Sequence, residues 1–156
     1  MYGQANSVTS ADKKFMDKAA QADLAEVKLG QLAQDKSSNQ AVKDFGKRMV
    51  TDHTNNENQL KGLASSDNVT LPANLDAKDR ALYNRLSKLS GTQFDREYMQ
   101  SMVKDHQNDV AEFQRESKMA HDSGVRSYAD STLPVLHQHL SLAQSVSGQV
   151  GATASK

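Results

Sequence analysis

Apolar residues in this chain recur every three or four positions over long segments, with almost no strict alternation. That period belongs to helices lying with one face in a core. The first segment opens at "TSADKKF", where Thr9 or Ser10 can cap the free amides of a first turn. Phe15, Ala19, Ala22, Glu26, Leu29 and Ala33 follow at alternating four and three spacing to about Asp35. After "DKSSNQ" breaks the pattern, Val42, Phe45, Met49, His53, Leu60 and Leu63 mark a second helix from about Asn39 to Ser65.

"SSDNVTLPANLD" then reads as a long crossover, with Pro72 disfavouring helix just before it. A short helix over "AKDRALYNRLSKLS" stops at Gly91. The next helix starts at "GTQFDREY", with Thr92 as its cap, and carries Phe94, Tyr98, Met102, His106, Val110 and Phe113 to about His121. A last one from about Val125 to Val146 sets Val125, Tyr128, Thr132, Val135, His139, Leu142 and Val146 on one face, with Pro134 expected to kink it. Four long helices, a short extra one and a long central crossover describe an all-α four-helix bundle with ferritin-like connectivity. Residues 1–8 and the tail from 148 to 156 are expected to be disordered, leaving one domain over 9–147.

Composition agrees with that class. Of 156 residues only two are proline and none is tryptophan, and the chain is rich in helix formers. Lysine plus arginine equals aspartate plus glutamate, 19 of each, so net charge draws the chain neither to nucleic acid nor to an anionic membrane. The absence of cysteine excludes disulfides, thiolate metal sites and a cysteine nucleophile. No stretch approaches the roughly 18 apolar residues of a membrane span, and the start "MYGQANS" has no apolar leader core; it resembles the polar start of a chain whose signal has been removed.

Candidate chemistry comes from the positions where the apolar stripes are interrupted. Glu26, His53, His106 and His139 supply one polar residue on each long helix. If the stripes meet in one core, three imidazoles and a carboxylate converge at mid-bundle, as metal ligands in helical bundles do. That set suits zinc best, with iron, manganese or copper as alternatives. "MVTDH" and "MVKDH" place Asp52 and Asp105 directly before His53 and His106. Neighbours on a helix point about 100° apart, so each aspartate is expected to serve the other helix: Asp52 accepting from His106, and Asp105 from His53.

Other residues could contribute less directly. Glu57 and Asp109 follow the two histidines at helical spacing, yet fit solvated positions better, and His137 belongs to an outward face. Met49 and Met102 share faces with the histidines and would suit copper, although such methionines more often fill core gaps. No Glu-x-x-His pair, nucleophile elbow or glycine-rich phosphate loop is present. A chain with no metal at all, whose Asp-His network only fixes the bundle and which serves structure or protein interaction, is the alternative. A redox enzyme would need an open coordination position.

The pieces "DLAEVKLGQLA", "VKDFGKRMVTDH", "LSGTQFDREYMQSMVKDH" and "STLPVLHQHL" together resemble the bacterial family called domain of unknown function 4142, often labelled a predicted outer membrane protein and related to the ferritin-like superfamily. The resemblance implies a ferritin-like bundle exported to the periplasm or cell envelope, with envelope proteins as conceivable partners. It points to Glu26, Asp52, His53, Asp105, His106 and His139 and brings no function with them. Neither the alternating strands of a barrel nor a spanning helix supports the outer-membrane label.

Overall fold

The computed structural model describes residues 8–151. Five helices form: α1 (Ser10–Lys36), α2 (Gln40–Ser66), α3 (Ala77–Ser87), α4 (Gly91–Met119) and α5 (Ser123–Gln149), with no strand among the described residues. Their starts follow the cap chemistry of the sequence. Thr9 and Asp12 form a reciprocal capping box on α1, and the Asn39 side chain accepts from Ala41 and Val42 on α2. Asp122 caps α5 by accepting from Val125.

Three local details add to or differ from the expectations. The cap position of α4 is Ser90 and not Thr92, and Ser90 makes no side-chain cap bond. Pro134, where a kink was expected, lies inside α5, whose helical span runs on through it, and both Pro134 and Asp130, whose carbonyl the proline deprives of its donor, are exposed residues. Finally, α5 runs on to Gln149 and Val150 is 9% exposed in the core, beyond the boundary expected at 147. Residues 1–7 and 152–156, where disorder was expected, lie outside the described residues.

Two apolar clusters occupy opposite ends of the bundle. One joins the end of α1 (Leu29, Leu32), the start of α2 (Val42, Phe45), the start of α4 (Phe94, Tyr98) and the end of α5 (Val146). The other joins the start of α1 (Phe15, Met16), the end of α2 (Leu60), the end of α4 (Phe113) and the start of α5 (Val125, Tyr128). It follows that α1 is antiparallel to both α2 and α4, while α2 and α4 run the same way. The connection from α2 to α4 must therefore travel the length of the bundle, roughly 40 Å for helices of this size. This is the long crossover of a ferritin-like bundle. On the way, α3 docks against α1 and α4, with Leu86 fully buried.

Two close contacts fix how the helices sit. At the crossing of α1 and α2, a Cβ added to Gly30 would lie 2.5 Å from the Gly46 carbonyl oxygen, and one added to Gly46 would lie 2.7 Å from that of Gly30. Only a glycine pair allows this approach. At the far end, the buried Asp12 carboxylate accepts from the backbone N–H groups of His121 and Asp122 at 2.9 and 3.0 Å, tying the α4–α5 turn to the start of α1. Burial raises the Asp12 pKa, but the hydrogen bonds from His121, Thr9 and Asp122 outweigh it and the net shift is downward.

Candidate metal centre

Between the two apolar clusters lies a polar layer. His53 sits on α2 between Phe45 and Leu60, His106 on α4 between Tyr98 and Phe113, and His139 on α5 between Tyr128 and Val146. All three are buried, with exposures of 1%, 0% and 0%. Ring centroids are 5.2 Å apart for His53 and His139, 5.3 Å for His106 and His139, and 5.8 Å for His53 and His106. Each offers one ring nitrogen to a group whose members lie within 4.8 Å of one another.

Every ring is anchored through one nitrogen. Nδ1 of His53 is 2.8 Å from Asp23 Oδ1, and Nε2 of His139 is 2.7 Å from Asp52 Oδ2. Nδ1 of His106 donates to the Met102 carbonyl at 2.8 Å, so Nε2 of that neutral ring carries the lone pair. The second nitrogen of each ring (His53 Nε2, His106 Nε2 and His139 Nδ1) is buried with no hydrogen-bond partner. Three such orphans in one layer would each cost about 1–3 kcal/mol if nothing engaged them.

The surroundings keep the rings neutral. Burial lowers the His53 pKa to about 4 against an upward pull from the Asp52 charge. Burial, then the charge of neighbouring His53, takes His106 to about 3. Burial followed by His53 takes His139 to about 4, despite its bond to Asp52. Neutral imidazoles are the form that ligates metal. Asp52 is held low: burial raises it, but hydrogen bonds from His139 and Arg48 prevail. Arg48 Nε reaches Asp52 at 2.9 Å, and its other arm donates to Gln138 at 3.1 Å, so the Asp52–His139 pair extends to the surface of the bundle. Burial pushes Asp23 well above the usual carboxylate range, aided by the charge of Glu57.

The three histidines are brought together, whereas Glu26 is not in their group. It is 3% exposed and lines a separate acidic pocket. The reciprocal pairing expected of Asp52 and Asp105 is corrected: Asp52 meets His139, His53 meets Asp23, and His106 turns to its own backbone. The 100° step along α2 aims Asp52 at neighbouring α5 and not across the diagonal to α4. Asp105 and Asp109 line the acidic pocket. Glu57 pairs with Lys61 at 3.0 Å, and His137 is exposed. Met49 and Met102 are fully buried in an apolar cluster. Asp23 is the anchor that the sequence pattern did not single out; its signal was its place in the spacing Ala19, Asp23, Glu26, Gly30, which the stripe through Ala22 obscured.

The profile of the domain-of-unknown-function family 4142 (DUF4142) matches residues 2–146, nearly the whole chain. The chain belongs to the DUF4142 family. No curated protein matches this DUF4142 member. Its fold is similar to that of a DUF305 fragment from Deinococcus radiodurans, at TM-score 0.80 and 15% identity over 91% of this chain and 98% of the other. It is also similar to a DUF305 protein from Streptomyces coelicolor provisionally described as secreted, at TM-score 0.77 and 14% identity over 94% and 98% of the two chains. At such identities the likeness concerns the fold alone. No helix among the described residues is long and apolar enough to cross a membrane.

Proposed function

We propose that this DUF4142 protein holds one divalent transition metal, zinc by preference, between His53, His106 and His139, in an exported, periplasmic or envelope-associated bundle. One observation carries the metal reading: the three rings offer nitrogens that converge within 4.8 Å of one another, and each ring keeps one buried nitrogen without a hydrogen-bond partner while its other nitrogen is anchored. Anchoring by a carboxylate or carbonyl is how metal-ligating histidines are oriented. Two nitrogens bound at about 2.1 Å to a tetrahedral ion sit roughly 3.4 Å apart, and the present group lies within 4.8 Å. Binding requires the form in which His53 Nδ1 donates to an ionised Asp23.

Three neutral imidazoles and no carboxylate favour zinc or copper over iron or manganese. Burial of all three rings favours retaining the ion over turning over a substrate. Export rests on the sequence resemblance and on the provisional description of the Streptomyces coelicolor protein as secreted. In the competing structural reading, the Asp23–His53 and Asp52–His139 bonds alone order the bundle, which leaves the three orphan nitrogens unexplained.

Elemental analysis of the purified chain, with thermal melts in chelator and in added zinc, copper(II) or iron(II), tests the proposal. Expected are about one metal per chain and a lower melting temperature in chelator; ligand at 100 times its Kd would stabilise by about 2.7 kcal/mol. His106→Gln should abolish both effects. No retained metal and a melting temperature indifferent to metal and chelator would remove the metal in favour of the structural network.

A further inference from the structure

The acidic pocket between α1, α3 and α4 is a second place where buried polar chemistry lacks a partner. Its volume is about 300 Å³, and it is walled by six carboxyl groups against two lysines. Two of the acids are already engaged: Asp76 caps α3 by accepting from Asp79 N–H at 2.8 Å, and Glu112 pairs with Lys18 at 3.7 Å. Glu26, Asp105 and Asp109 remain, with Asp79, whose carboxyl also meets that of Asp76. An acidic surface alone would mean little, because exposed carboxylates live comfortably in water. Glu26 differs: its side chain is 3% exposed, it lines the pocket from α1, and its Oε2 is buried with no hydrogen-bond partner.

We propose that this pocket binds a hard divalent cation of the calcium type between Glu26 and Asp109, with Asp79 and Asp105 acting on it through the water it retains. The donors are all carboxylates, the chemistry of calcium and not of soft metals. Their oxygens do not draw together as the three histidines do, since the converging group among the described residues is histidine only. The cation therefore keeps water in part of its shell, which a pocket of this volume accommodates and which the six to eight ligands of calcium permit. Burial first, then the charges of Asp105, Asp109 and Asp79, push Glu26 well above the ordinary carboxyl range. Burial, then Asp105 and Glu112, bring Asp109 to about 8. A bound cation would offset both penalties.

The site is independent of the histidine layer, and calcium separates the two because imidazole does not bind it. Titration calorimetry and thermal melts of the full chain with Ca²⁺ are expected to show saturable binding and a rise in melting temperature. Glu26→Gln and Asp109→Asn should each weaken Ca²⁺ affinity by about tenfold or more, while His106→Gln leaves it unchanged. Without calcium, Glu26→Gln should melt at or above the wild-type temperature, because it removes a buried ionisable group; should it fail to fold, Asp109→Asn at the pocket wall gives the reading. Absence of Ca²⁺ heat and of any melting shift, Ca²⁺ affinity untouched by both acidic variants, or its loss in His106→Gln would each overturn the proposal.

Discussion

His106 fixes its own tautomer by donating Nδ1–H to the Met102 carbonyl one turn back. Its pKa near 3, with those of His53 and His139 near 4, makes the metal-free protein acid-sensitive. Unfolded histidine titrates near 6.5, so the neutral rings contribute their full stability above that pH and lose it as pH falls through 6.5 toward 4. Each unit of depression is worth about 1.4 kcal/mol. Glu26 and Asp23 have the opposite sign. Raised in the fold, they contribute stability below the unfolded carboxyl range and lose it as pH rises toward their folded values. Melts in chelator should thus show an acid-side loss between about pH 6.5 and pH 4, and His106→Gln should shrink it. Wild type and variant falling in parallel would contradict this account.

Between α1 and α2 the Gly30–Gly46 contact does more than let two backbones approach. Counting seven residues back along α1 from Gly30 reaches Asp23, and seven forward along α2 from Gly46 reaches His53. In antiparallel helices both steps descend about 10 Å from the crossing, which sets the carboxylate level with the ring. Elsewhere in a helix, glycine to alanine gains up to about 1 kcal/mol from propensity. Gly62 is such a place: on exposed α2 surface, with nothing within 4 Å of an added Cβ, so Gly62→Ala should stabilise by about that amount. Gly30→Ala should do the reverse, costing about 1–3 kcal/mol by overpacking and weakening zinc binding by displacing Asp23. Chemical denaturation of the two variants side by side checks the opposite signs.

Across the whole molecule, the polar layer survives because apolar clusters close it from both ends, while the crossover helix α3 docks on α1 and α4. Leu86 is the buried anchor of α3, with Leu82, Tyr83 and Leu89 packed beside it. Arg85 adds a surface pair to Glu97 at 3.4 Å, worth little by itself. Leu86→Ala should cost about 2–5 kcal/mol and loosen α3, which carries Asp79 and forms one wall of the acidic pocket. Calcium affinity should then fall while the histidine layer, on α2, α4 and α5, keeps its zinc affinity. Equal losses at both sites would show that α3 holds the whole bundle and not the pocket alone.

The number of helices, most of their ends and the presence of His53, His106 and His139 on inward faces were legible in the sequence. These follow from local rules: a 3.6-residue period, cap residues such as Thr9 and Asn39, and turn residues between segments. Which acid meets which ring was not legible. Periodicity says that a residue faces inward, but the partner it meets depends on the stagger and rotation of another helix, at 1.5 Å and 100° per residue. A shift of one residue exchanges neighbours. The Gly30–Gly46 contact set that stagger for Asp23 and His53, the step from His53 back to Asp52 aimed the carboxylate at α5, and the docking of α3 left Glu26 facing a pocket of its own.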